Sequence, residues 1–260
     1  MSVNLTDLEG GHIFDILVDR RQRYLFEYFN SYPLKVRKRV EYVTTDMYKP
    51  YIDLAKKVFP NANIVVDKFH IVQLLTRELN KLRINEMKKL NTRSREYKVL
   101  KRYWKIPLRK KRELNSIYFY KNRHFKNMTS SVDILDYMLR KFPNLKEAHD
   151  FYQNFLLSIS KNDVAMLEDI LNTRTDKIPM CFRKSIKSLK KLRKYVLNSL
   201  KYDYTNAMVE GKNNKIKVIK RVSYGYRSFR NFKARIMLME RYKIQKGNIH
   251  SYKFAMDAAA

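Results

Sequence analysis

Val40-Glu41-Tyr42-Val43-Thr44-Thr45-Asp46 and, beyond an intervening helical stretch, Asn63-Ile64-Val65-Val66-Asp67 decide the fold class. Both runs are short, rich in β-branched and aromatic residues, and stop on an aspartate, as strands do when a turn follows. Between them, Tyr48 to Phe59 carries helical spacing, with Pro50 in the first turn where a missing N–H is tolerated. Upstream, His12-Ile13-Phe14-Asp15-Ile16-Leu17-Val18-Asp19 reads as a further strand. Arg21 to Asn30 reads as a helix, with Tyr24, Leu25, Tyr28 and Phe29 at helical intervals. Strand, helix, strand, helix, strand is the pattern of an α/β sheet. Sites in such sheets lie beyond the carboxyl ends of strands, where Asp46 and Asp67 both fall. Asp is also a common strand-ending and helix-capping residue, so position alone leaves both readings open for each.

From Phe69 to about Leu200 no strand is expected. Leu74, Leu75, Leu79, Leu82 and Met87 form one apolar stripe, and Ile134, Leu135, Met138 and Leu139 form another. Phe151, Phe155, Leu156 and Ile159, then Val164, Leu167, Ile170 and Leu171, repeat the spacing. These stripes read as the core of a helical domain. With only 5 Gly and 6 Pro in 260 residues, turns are scarce and a many-stranded sandwich is excluded. A hydrophobic content of 45% excludes disorder.

Charge limits the partner. Lys and Arg number 56 against 25 Asp and Glu, a formal net charge of +31. Such an excess repels itself in a compact state and calls for a polyanion, by default nucleic acid. Lys98 to Lys126 holds eleven basic residues and one acid, Glu113; Arg183 to Lys194 holds seven and none. Trp104, Tyr118, Phe119 and Tyr120 lie inside the first cluster, where they either line a nucleic-acid groove or pack the helical core. A helix from near Asn206 places Glu210 at the head of a run, Gly211 to Met239, with nine Lys or Arg and no acid. That carboxylate is either functional or one favoured by the helix dipole.

Other classes drop out. Cys181 is the single cysteine, which excludes an intrachain disulfide and fits a reducing compartment. His12, His70, His124, His149 and His250 form no HxxxH pair, so a zinc site is not expected. Gly10-Gly11 is not followed by Lys-Ser or Lys-Thr, so the sequence offers no phosphate loop for ATP. The N-terminus lacks a basic flank and apolar signal core, and no apolar run approaches membrane-spanning length. A cytoplasmic protein without membrane contact is the expectation.

Three blocks carry a resemblance: Val43-Thr44-Thr45-Asp46-Met47-Tyr48; Val66-Asp67-Lys68-Phe69-His70-Ile71-Val72-Gln73; and Asn206-Ala207-Met208-Val209-Glu210-Gly211-Lys212-Asn213-Asn214-Lys215-Ile216-Lys217. The tail Lys220-Arg221-Val222-Ser223-Tyr224-Gly225-Tyr226-Arg227-Ser228-Phe229-Arg230-Asn231-Phe232 extends it. In order and spacing, over nearly the whole chain, they resemble ISL-three-type insertion-sequence transposases of the DDE superfamily. The resemblance implies a fold of class α/β plus α, a ribonuclease-H-like mixed-sheet core with a large all-helical insertion. Its parts are residues 1–74 as the first part of the core, 75–200 as the basic helical insertion, 201–245 as C-terminal core helices, and 246–260 as a tail. It further implies metal-dependent DNA strand cleavage and transfer. Asp46 and Glu210 are then the second and third metal-binding carboxylates of a two-metal Mg²⁺ or Mn²⁺ site, supported by Asp67 and His70. Hard divalent ions take carboxylate oxygens and keep waters, so this chemistry needs neither Cys nor paired His. Lys212, Lys215, Lys217, Lys220, Arg221, Arg227 and Arg230 are the expected DNA-binding residues. Transposon ends and target DNA are the expected partners, with a homo-oligomer acting on paired ends at the bacterial nucleoid.

The chain departs from the family pattern at its start. The family's first aspartate, on the first core strand, belongs upstream of the segment that Met1 to Asp7 resembles, as do the zinc-ribbon and helix-turn-helix regions. The expectation is a core lacking its first strand, inactive by itself; Asp7, Asp15 and Asp19 do not sit where the motif puts the missing carboxylate. Two other functions stay open: a non-catalytic basic DNA-binding protein or remnant, and a nuclease that cuts without joining. A ribosome-associated protein fits less well, because the chain lacks Gly- and Lys-rich tails.

Overall fold

The computed structural model describes residues 3–7, 10–204 and 207–241. Asn206 and the 246–260 tail lie outside them. In chain order the elements are β1 (Val3–Thr6), β2 (Ile13–Leu17), α1 (Gln22–Asn30), α2 (Leu34–Arg37), β3 (Tyr42–Thr45), α3 (Lys49–Val58) and β4 (Asn63–Val66). The helices α4 (Lys68–Lys88), α5 (Arg95–Arg102), α6 (Ser131–Lys141), α7 (Pro143–Ser160) and α8 (Val164–Asn172) follow. Next come α9 (Arg183–Lys191), α10 (Arg193–Lys201), α11 (Ala207–Val222) and α12 (Phe229–Arg241). The described chain is mostly helical, and its strands form two two-stranded sheets, β1–β2 and β3–β4. Its described residues divide into two compact units, one drawn from 3–44, 48–62 and 204–241 and the other from 45–47 and 63–203.

In the first unit, β1 and β2 are antiparallel, with Val3 opposite Leu17 and Leu5 opposite Asp15. The turn between them rests on Asp7, whose carboxylate accepts from the Gly10 N–H at 2.7 Å and whose carbonyl accepts from the Gly11 N–H at 3.1 Å. Gly11 suits the position because its φ is +65°; a Cβ would in addition stand 2.5 Å from the flexible Met208 side chain's sulfur. Ile13 and Ile16 of β2 pack with Ile219 of α11 and Ile236 of α12. Leu17 packs instead with Leu25 of α1 and with Leu54 and Val58 of α3. The strand thus supplies two cores, which is why its apolar residues do not strictly alternate. β1 was not expected; its four residues carry too little pattern to read without the strand they pair with.

In the second unit, β4 is apolar throughout its buried part, Ile64 to Val66, and the Asn198 side chain of α10 donates to the Ile64 carbonyl at 2.9 Å. The stripe of α4 buries Ile71, Leu75 and Leu79, while Leu74 and Leu82 are half-buried. One turn on, the core-facing position is Arg83. Its guanidinium donates to the Leu100 carbonyl at 2.7 Å and to Asn80 Oδ1 at 2.8 Å, which satisfies a charge that burial otherwise penalises. α6 starts with a capping box in which Ser130 and Asp133 bond each other's backbone N–H. Across the stretch from Phe69 to Leu200, only the isolated bridge Tyr120–Thr129 has strand pairing among the described residues.

Candidate catalytic carboxylates and nucleic-acid interface

Asp46 directly follows β3, half-buried, with Oδ1 at 3.5 Å from the Thr45 hydroxyl. Asp67 follows β4 and is buried. Its carboxylate accepts from the Phe69 N–H at 3.0 Å, making it the N-cap of α4, and its own N–H donates to the Thr45 carbonyl at 3.0 Å. The capping role that sequence left open for Asp67 is therefore present. His70 lies in the first turn of α4, half-buried, with its ring edge-on to Phe69 at 5.5 Å. These three residues belong to one unit, and Glu210 to the other.

Glu210 is exposed in the first turn of α11. Behind it, the expected DNA-binding residues separate into two groups. Lys212 and Lys215 both ion-pair with Glu240 of α12, a buried carboxylate, the second at 3.0 Å. Burial pushes the Glu240 carboxyl up, but the two ammonium groups outweigh it and hold it below the usual carboxylate range. Lys217, Lys220, Arg221, Arg227 and Arg230 are exposed. Glu240 is the residue at which the acid-free basic run ends; only its helix-to-helix contact reveals what it holds.

The aspartates of the N-terminal strands are likewise engaged. Asp15 ion-pairs with Lys233 of α12 and accepts from the Tyr28 hydroxyl at 2.7 Å. Burial raises its pKa, and those partners lower it further than burial raises it. Asp19 accepts from the Arg21 N–H at 3.0 Å. Among the described residues, no group of three or more His, Cys, Asp or Glu side chains is placed to hold a metal ion. The described residues do not by themselves make up the donor set of a two-metal centre.

The basic clusters of the second unit face solvent. On α9, Ser185, Ile186 and Leu189 are buried while Arg183, Lys184, Lys187, Lys190 and Lys191 are exposed. Burial pushes the Cys181 thiol up to about 11, so it is protonated at neutral pH. The rings left undecided by sequence are all in solvent, unlike the neighbouring Phe125. Phe125 packs edge-on against Tyr137 at 5.4 Å, with the Arg95 guanidinium 4.9 Å from its centroid. Trp104, Tyr118, Phe119 and Tyr120 are exposed and are not core.

A family model described as "Transposase", the ISL-three-type DDE group, matches residues 1–236. The chain belongs to this transposase family. Members of this family generally use divalent metals. A protein of Lactococcus lactis subsp. lactis named "ATP-dependent protease" is 36% identical over 109 residues, 42% of this chain and 35% of that one. The match thus spans about a third of the relative's length. No solved structure matches the transposase chain. Among its described residues, no helix is long and apolar enough to cross a membrane.

Proposed function

We propose that these residues are most of the catalytic region of a DDE transposase that cleaves and joins DNA strands on a ribonuclease-H-like core. In this reading residues 1–74 and 201–245 build the core and residues 75–200 form a helical insertion. Asp46 and Glu210 are its second and third catalytic carboxylates, Asp67 and His70 support the first of these, and Lys217, Lys220, Arg221, Arg227 and Arg230 grip phosphates. The observation that carries the reading is the transposase match over residues 1–236, within which Glu210 stands exposed at the head of α11 before a solvent-facing basic run. Lys212 and Lys215 contribute long-range charge, but their ammonium groups are held by Glu240.

On this reading Asp46 and Glu210 are two of the family's three carboxylates. The protein acts in the bacterial cytoplasm, on the nucleoid, as an oligomer on paired ends. The test is Mg²⁺- or Mn²⁺-dependent cleavage of supercoiled DNA, by this polypeptide and by one extended with the upstream core strand, each beside Asp46→Asn and Glu210→Gln. Cleavage by the extended protein alone, abolished by either substitution, supports the assignment. Cleavage by the unextended chain overturns the account of a missing carboxylate. An inactive extended protein overturns the roles of Asp46 and Glu210.

A second reading, a basic DNA-binding protein without catalysis, is favoured by the exposed cations of α9 and predicts salt-sensitive binding with no cleavage even by the extended protein. Nothing in this chain supports the function in the name of the Lactococcus lactis relative. Its match covers less than half of this chain, and Gly10-Gly11 lacks the Lys-Ser or Lys-Thr of a nucleotide loop.

A further inference from the structure

Between α5 and α6, four consecutive large side chains face solvent: Ile117 at 75% exposure, Tyr118 at 65%, Phe119 at 51% and Tyr120 at 58%. Loops that expose apolar residues are commonly mobile, but this one is pinned at both ends. Asn115 Oδ1 accepts from the Ile117 N–H at 3.1 Å and the Tyr118 N–H at 2.9 Å, while its Nδ2 donates to the Tyr118 carbonyl at 2.6 Å. The Asn115 carbonyl in turn accepts from the Ser131 N–H at 3.1 Å, tying the segment to the capped start of α6. At the other end Tyr120 and Thr129 exchange two backbone hydrogen bonds at 3.2 and 3.0 Å, and Asn122 Nδ2 donates to the Thr129 carbonyl at 2.8 Å. An ordered apolar face kept in water costs stability, which makes it a candidate for contact with a partner.

The surroundings identify that partner's chemistry. Lys121, Arg123 and Lys126 follow the rings and are exposed, as are Lys111 and Arg112 before them. Glu113, the one acid of the cluster, is paired with Lys110 at 3.2 Å. His124 reports the local field: burial first, then Arg123, Lys98, Arg102 and Arg95, depress its pKa below the ordinary histidine value. A second copy of this chain would bring its own excess of positive charge to a positive face. A polyanion with flat aromatic faces matches both features. In duplex DNA those faces are hidden by stacking, so the rings are useful only where bases are unpaired.

We propose that Ile117–Tyr120 is a stacking platform for unpaired DNA bases, flanked by cations that hold the adjoining phosphates. DNA as the partner rests on the transposase reading; the platform does not depend on Asp46 or Glu210. The test compares binding of the full chain to a short oligothymidine and to a fully paired duplex of equal length, at several salt concentrations. Tyr118→Ala/Phe119→Ala/Tyr120→Ala should lose about tenfold or more on the single strand and little on the duplex, since stacking is lost and charge kept. Its unfolding temperature should match wild type, because the hydrogen bonds that pin the segment come from backbone atoms of these residues. Tyr118→Trp/Tyr120→Trp should keep single-strand binding, and Lys121→Ala/Lys126→Ala should weaken both substrates with a shallower salt dependence. The proposal is overturned if the triple variant binds the oligothymidine as wild type does, or loses affinity equally for both DNAs. It is also overturned if the variant instead loses self-association in sedimentation, which would make the rings an interface between copies. Salt-sensitive duplex binding with no effect of the rings would remove the platform and leave the transposase reading intact.

Discussion

Asp46 and Asp67 end strands in the same way, yet their carboxylates meet different surroundings. Asp67 is buried and caps α4, so Asp67→Ala should destabilise the protein by about 1 kcal/mol in thermal or urea unfolding. Asp67→Asn, which keeps an accepting oxygen, should restore most of that. If Asp67→Asn also preserves cleavage by the extended protein, capping is its whole contribution; a stable but inactive variant would place its charge in the chemistry. Glu240 makes a second prediction. Its pKa is depressed in the folded protein, so its contribution to stability is present above the ordinary value of 4.5 and lost as pH falls through the folded one. Glu240→Gln should therefore cost about 2 kcal/mol at pH 7, and the gap to wild type should close progressively in acid. A gap that persists unchanged in acid would mean that packing, not the Lys212 and Lys215 pairs, makes up the loss.

At the scale of elements, the alternation of the first seventy residues was legible because each strand and helix carries its own period. The expected strand at Val40–Asp46 is β3, that at Asn63–Asp67 is β4, and the helix between them is α3. What periodicity missed is Arg83, which takes a buried position on the α4 stripe only because the Leu100 carbonyl, seventeen residues on, satisfies it. The connection from α11 to α12 offers a test at this scale. Tyr224 has φ 52° and Gly225 φ 102°, and the Tyr224 side chain is fully exposed. A left-handed non-glycine residue costs roughly 1–2 kcal/mol, and the exposed ring has no packing to offset it. Tyr224→Gly should raise stability by about 1 kcal/mol, whereas Gly225→Ala should lower it by about the same amount or more. A Tyr224→Gly protein that is no more stable would show that the ring contributes to the helix connection after all.

For the whole molecule, the net charge of +31 sets the behaviour toward DNA. If it contacts several phosphates at once, duplex affinity should fall by about a thousandfold or more between 50 and 200 mM salt, equally for wild type, Asp46→Asn and Glu210→Gln. A weak salt dependence measured by fluorescence anisotropy would mean that the exposed cations of α9 and α11 do not engage the backbone together. The sequence by itself determined the class of this protein: the order of its aspartate-ended strands, the helical stripes, the basic excess and the motif blocks around Asp46, Asp67 and Glu210 are all local or additive properties. Tertiary structure alone decided which groups are available. Lys212 and Lys215 turn to Glu240, the Asp67 carboxylate caps α4, and the rings at 118–120 remain in water while Phe125 is packed. The physical reason is that a side chain's charge and size are written at its own position, whereas its burial and its partner depend on what the folded chain brings beside it.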